Sequence, residues 1–301
     1  MAIIRFTASL NNTITNAYKE GLQKRATGSN SGKADVLETF SIYARQSTSS
    51  AELSRILLQF DTNYISSSRV AGTIPASGEV KFYLNLYNAE TSKTVPRDFK
   101  LVVKAVSASW EEGMGLDIET RTNSDQSNWI SASSTAGWSS AGGDYHVNPI
   151  FEQQFDTGLE DLEVDVTTLV EQWIAGTKQN YGFGIFLSSS FEASSSTNTG
   201  GATSSYYTKR FFARGTEYFF KKPIIEARWN SSRKDDRGNF YLSSALAPAA
   251  ENINTLYLYN FVRGRLTNIP GIGTGSIFVN LHQTLGSSAL TQAIRTPATG
   301  S

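Results

Sequence analysis

The chain has 301 residues, of which 39% are hydrophobic and 12% aromatic, with 27 basic side chains set against 27 acidic ones and no cysteine. That length can bury one large core or two modest ones, and a net charge of zero gives no field that would favour nucleic acid or an anionic membrane. The missing cysteines remove disulfides, thiol nucleophiles and Cys-ligated zinc together.

The first residues, Met1-Ala-Ile-Ile-Arg-Phe-Thr, show no charged leader, apolar run or cleavage site, and no later segment approaches the ~18 apolar residues of a spanning helix. Synthesis in a cytoplasm is the expectation. In chain order, residues 36–44, 55–61, 80–87 and 99–106 read as short strands, the third and fourth alternating apolar with polar positions as half-buried strands do. Trp110-Glu-Glu-Gly-Met-Gly115 follows, then a polar stretch from Arg121 to His146. Around Val166 to Ala175 the period changes: Thr167, Val170, Trp173 and Ile174 recur at helical spacing, with Asp165 as a cap and Gly176 as a stop. One short helix is expected there.

Residues 180–187 read as another strand, followed by a Ser/Thr/Asn run over 188–205. Tyr206 to Arg214 and Glu217 to Lys222 interleave cations with rings, which could serve single-stranded nucleic acid. After a strand over 223–229, the polar, charged residues 230–239 read as a linker. Residues 240–301 then form a smaller β domain, with strands at 255–262 and 276–281 and a glycine-rich turn over 269–275; it is small for an independent sandwich.

Several of these blocks occur in a telling order. Asn30-Ser-Gly32-Lys-Ala34, the strand Arg55-Ile-Leu-Leu-Gln-Phe-Asp61, the Trp110 to Gly115 segment, Asp165 to Trp173, Asn180 to Leu187 and Pro223 to Trp229 together resemble the DNRLRE (disaggregatase-related) family of β-sandwich domains. The resemblance runs from about residue 20 to 229 and implies an all-β jelly-roll sandwich over residues 1–229. It also implies that Trp110 and Gly113 mark a strand end and its turn, and that Tyr206 to Arg214 and Glu217 to Lys222 form a strand pair with Gly215-Thr216 at the turn, where alternation sends rings inward and cations outward, a hairpin preferred to the nucleic-acid reading. Trp110, Trp173 and Trp229 are expected in the core.

For chemistry the chain offers little. Its two histidines, His146 and His282, fall in separate expected domains, which disfavours a Ser-His-Asp triad. Glu111 and Glu112 are adjacent, so they do not supply the fixed separation of a glycosidase pair. Gly113 to Gly115 and Gly271 to Gly275 lack the helix and Lys-Ser/Thr ending of a phosphate loop. Asp61, Asp156 and Asp161, with Glu163 and Asp165 nearby, are hard oxygen ligands near strand ends and make calcium the candidate ion, without EF-hand spacing. Trp129, Trp138 and Tyr145 are candidate stacking platforms for sugar rings, or else rings folded back over the core.

The expected function is that of a non-enzymatic virion protein without cofactor, a capsid, neck, tail or fibre component that forms homo-oligomers and contacts other virion proteins. Met1 to Phe6 and Arg233 to Tyr241 are similar to virion proteins of marine tailed phages. The competing expectation is a carbohydrate-binding module or adhesin for a cell-surface polysaccharide, with an enzyme grafted on the sandwich third.

Overall fold

The computed structural model describes residues 2–43, 51–91, 94–195 and 198–231, and, further on, 246, 248, 256–263, 265–267, 269, 276–284 and 290–299. The chain divides into two compact units, Met1–Ser231 and Ser232–Ser301.

The first unit is all-β, with eleven strands: β1 Ala2–Thr7, β2 Leu10–Thr15, β3 Val36–Tyr43, β4 Ala51–Gln59, β5 Val80–Leu86, β6 Phe99–Val106, β7 Tyr145–Phe155, β8 Leu162–Asp165, β9 Phe183–Leu187, β10 Tyr206–Phe212 and β11 Ile224–Trp229. They form a four-stranded sheet, β1-β11-β5-β8, and a seven-stranded sheet, β10-β3-β4-β9-β6-β7, in which β2 also pairs with β4. Every pairing is antiparallel. The contacts nest: β3 with β10, β4 with β9, β5 with β8 and β6 with β7. A long hairpin rolled over itself gives that nesting, which is the jelly-roll form of the sandwich.

Period-two alternation explains the core. On β4, Ile56 and Leu58 face the other sheet, as do Leu101 and Val103 on β6 and Phe183, Ile185 and Leu187 on β9. From the four-stranded sheet come Phe82, Leu84 and Leu86 of β5, Val164 of β8 and Ile225 of β11. Phe183 packs edge-on against both Phe60 and Trp173, with centroids at 5.9 and 4.8 Å.

Two helices stand beside the sheets where one was expected. The expected one is α2, Thr167–Ile174, which buries Leu169, Val170 and Trp173. Asp165 is not its N-cap: Val166 holds that position without a side-chain cap, and Asp165, one residue earlier, accepts at Oδ1 from the Thr167 N–H at 3.0 Å. Gly176, at φ 71, ends it in the left-handed region that favours glycine. The unexpected one is α1, Thr62–Val70, whose N-cap is Asp61, accepting from the Asn63 N–H at 2.9 Å. Arg69 of α1 grips Glu171 of α2 through two bonds of 2.7 Å.

The hairpin expected around Gly215-Thr216 does not form. Strand β10 pairs with β3 in one sheet, β11 pairs with β1 and β5 in the other, and Phe219–Lys221 makes a single 3-10 turn between them. Nor do all the cations face outward, because Tyr207, Lys209 and Phe211 share a side of β10 and Lys209 is 2% exposed. The reason is alternation itself: with Phe211 directed into the core, the residue two before it must follow.

In the second unit, β12 Phe261–Val262 pairs with β13 Arg265–Leu266, and β14 Ser276–Thr284 pairs with β15 Leu290–Thr299. Of the strand expected over 255–262, Phe261 and Val262 are the strand residues among the described ones. Most of the expected linker and of the turn over 269–275 lies outside the described residues.

Candidate functional site

The segments carrying the resemblance interlock. Asn30 Oδ1 accepts from the Gly115 N–H at 3.0 Å, and its Nδ2 donates to the Asn123 carbonyl at 2.7 Å. Gly113 lies so close that a Cβ there would collide with the Asn30 carboxamide, and one on Gly32 would collide with the Gly113 backbone. Here glycine is required by close approach. Glu112 completes the clasp by accepting from Lys33 Nζ at 2.6 Å, Arg214 Nη2 at 2.7 Å and the Asn11 N–H at 2.9 Å. Burial works to raise its pKa, but these donors hold it below the usual carboxylate range. Glu111 turns elsewhere and accepts from the Ser134 N–H at 3.1 Å. The two carboxylates therefore serve different parts of the loop.

Trp110 is 5% exposed and donates its indole N–H to the Tyr181 carbonyl at 2.7 Å. With Ile14, Leu57, Trp129, Ala132 and Trp138 it forms a second apolar cluster on the outer face of the seven-stranded sheet. Trp129 and Trp138 are 6% and 8% exposed, so the loop folds its rings back over the sheet rather than presenting them as open platforms. Burying such large rings removes much apolar surface from water, which is why the loop closes in this way. Trp173 is likewise buried, and Trp229 is partly buried against the inter-sheet core.

The proposed calcium ligands go to separate tasks. Asp61 caps α1, Asp161 accepts from the Asn88 N–H at 2.7 Å, and Asp156 is exposed in a turn. Among the described residues no three His, Asp or Glu side chains converge as a metal-binding group.

A cleft of about 400 Å³ opens beside the second cluster, lined among others by Arg55, Trp129, Tyr145, Phe186, Glu192 and Asn198. Two of the three rings expected to stack sugars thus share its wall, and Trp138 does not line it. Arg55 lies at the centre because residues 53, 55 and 57 of β4 all face outward. Its guanidinium stands over Phe186 at 4.7 Å, Trp129 at 5.4 Å and Tyr145 at 5.6 Å. Nη1 donates to the Gly142 carbonyl at 3.1 Å, Nη2 reaches Glu192 only at 3.4 to 3.5 Å, and Nε is buried without a hydrogen-bond partner among the described residues.

Burial opposes the Arg55 charge, yet Glu192 and Tyr145 hold its pKa above the ordinary value. Burial likewise pushes the Tyr145 phenol up to about 12, so it stays protonated and donates to the Gly142 carbonyl at 2.8 Å. Chemically, the cleft pairs aromatic walls with a cation whose hydrogen bonds are incomplete. Sequence reading passed over Arg55, Phe186 and Glu192. The available signal was Arg55 itself, a cation directly before the apolar run Ile56-Leu57-Leu58. The sequence matches no protein-family model and no curated protein.

Proposed function

We propose that this protein is a non-enzymatic structural subunit, of the kind carried by tailed-phage virions, and that it works through contacts between copies made by its second unit. The carrying observation is the exposure of apolar side chains there: Leu258 is 49% exposed, Phe261 63% and Val262 50%. They belong to a unit whose described sheets have two strands each. A two-stranded sheet is marginal alone and presents unpaired edges, so a second copy that adds strands and covers these residues is the natural complement, and closed symmetry limits such an assembly. Assignment to a virion rests on the sequence resemblance at Met1 to Phe6 and Arg233 to Tyr241.

The test is light scattering of the full chain over a concentration series. The expected result is one symmetric assembly of fixed mass that weakens when Phe261 and Val262 are both changed to Ser. A monomer at every concentration would overturn the reading.

The cleft favours a second reading, binding of a cell-surface saccharide, since the partly exposed Tyr145 ring, packed on Phe186, lies beside Arg55, Glu192 and Asn198. A polysaccharide screen by calorimetry discriminates: heat that disappears with Phe186→Ala supports it, and no heat with any glycan rejects it.

A further inference from the structure

Lys209 occupies a place that elementary electrostatics would give to leucine. It is 2% exposed, on the inward side of β10, with Nζ 5.0 Å from the centre of the Phe155 ring and 5.1 Å from that of Phe211. Among the described residues no carboxylate makes an ion pair with it. Its two acceptors are the Asn88 carboxamide Oδ1 at 2.7 Å and the Gly158 carbonyl at 2.8 Å. Two acceptors satisfy the two hydrogens of a neutral amine and leave its lone pair free. Burial pushes the Lys209 pKa down to about 8, Glu160 and Asp161 opposing, so a usable fraction is neutral near pH 7.

The acceptor is itself an electrophile. Asn88 Cγ is one bond beyond the oxygen that Nζ touches at 2.7 Å, so the two reacting groups are held side by side. Strand neighbours hold Asn88 in place, because the Ala89 N–H donates to the Arg210 carbonyl at 3.1 Å and the Phe212 N–H to the Tyr87 carbonyl at 3.0 Å. Nearby, Glu160 keeps Oε2 buried with no hydrogen-bond partner among the described residues, and its charge acts on Lys209. A cleft of about 270 Å³, lined by Asn88, Gly158, Leu159 and Lys209, leads outward from the pair.

We propose that Lys209 and Asn88 form an intramolecular isopeptide bond that ties β10 of the seven-stranded sheet to the segment following β5 of the four-stranded sheet. The neutral Nζ attacks Cγ of Asn88, a C–N bond forms, the bond from Cγ to the Asn88 amide nitrogen breaks, and ammonia leaves through the cleft. Glu160, which lies beyond ion-pair distance of Nζ but acts on its charge, relays a proton from Nζ to the departing nitrogen through one intervening water, as a general base and then acid. No oxidant or cofactor enters the balance. The bond would close a loop of chain between residues 88 and 209 and lock the two sheets together without a cysteine. This inference does not depend on the function proposed above.

Intact mass spectrometry of the purified natural chain tests it, followed by a tryptic map. The expected result is a mass one ammonia below that of the sequence, a branched peptide joining the Asn88 and Lys209 segments, and no cleavage after Lys209. Asn88→Ala should lose the branched peptide completely, and Glu160→Gln, which keeps the side-chain shape, should lose most of it. A folded natural chain at full sequence mass after prolonged incubation would overturn the proposal. So would an ammonia deficit carried on a linear Asn88 peptide, which is ring closure of the asparagine alone. A branched peptide formed as completely in Glu160→Gln would remove Glu160 from the mechanism.

Discussion

The two faces of the seven-stranded sheet are covered by different means. Inward, Ile56, Leu58, Leu101, Val103, Phe183 and Ile185 meet a second sheet whose own alternation supplies matching side chains, and each is 0% exposed. Outward, Leu57, Val106 and Ile14 are closed over by a loop that brings Trp110, Trp129 and Trp138. The first cover is periodic and sealed. The second is irregular, leaves a cleft at one side, and keeps Arg55 beneath aromatic rings. A strand's alternating pattern says which residues go to each face, but only the partner decides whether a face becomes a core or a site.

If the inner face carries the stability, Phe183→Ala should be the most damaging of the changes considered, costing about 3–5 kcal/mol for a buried aromatic. Urea denaturation monitored by tryptophan fluorescence would read it, since Trp173 packs on that ring. Trp129→Ala removes a larger side chain but from beside an open cleft, where the loop can relax and water can enter, so about 2–3 kcal/mol is expected. An equal or greater loss at Trp129 would break the comparison and make the loop part of the folding core.

Much of this was legible beforehand, and for physical reasons. Strands β5 and β6 and helix α2 follow from periodicity, because each turns one side to an apolar partner. Helix α1 was hidden: Thr62-Asn-Tyr-Ile-Ser-Ser-Ser-Arg-Val70 buries only Ile65, so no apolar stripe marks it, and its one local signal, Asp61 as a cap, is a residue type that also suggests metal. The hairpin at Gly215 was what the resemblance implied, but β10 and β11 go to opposite sheets, unlike the sequence neighbours β3 and β4 or β6 and β7, which pair. Tyr145 and Trp129 were legible as rings of the site, but their convergence on Arg55 is a tertiary fact that no local spacing encodes.

Glu112 sharpens the comparison from the loop side, since it fastens the segment after Trp110 to Lys33 and Arg214. Glu112→Gln keeps the shape but leaves two cations short of a partner, with an expected loss of about 2 kcal/mol, in the range for a buried bond to a charged group. The pH dependence has a definite sign. The folded carboxyl has a lowered pKa, so its contribution is fully present above the unfolded carboxylate value and is lost as the pH falls through the lowered folded one. Urea midpoints of the natural chain and of Glu112→Gln should therefore converge on acidification. Parallel curves would mean that the clasp holds by packing alone.

The smallest effect is expected where the charge is most conspicuous. Arg55 has an unpartnered Nε and only long contacts to Glu192, so its burial is costly, and Glu192 and Tyr145 offset that cost enough to hold its pKa above the ordinary value. Arg55→Met keeps a long chain against Phe186 and Trp129 while removing that cost, and should change stability by less than about 1 kcal/mol in either direction. Glu192 lines the cleft. A loss as large as that of Trp129→Ala would show that the guanidinium is a structural tie for the loop, leaving the outer face no spare binding capacity. A neutral result would show that the fold does not need this cation, which makes Arg55 available to a ligand.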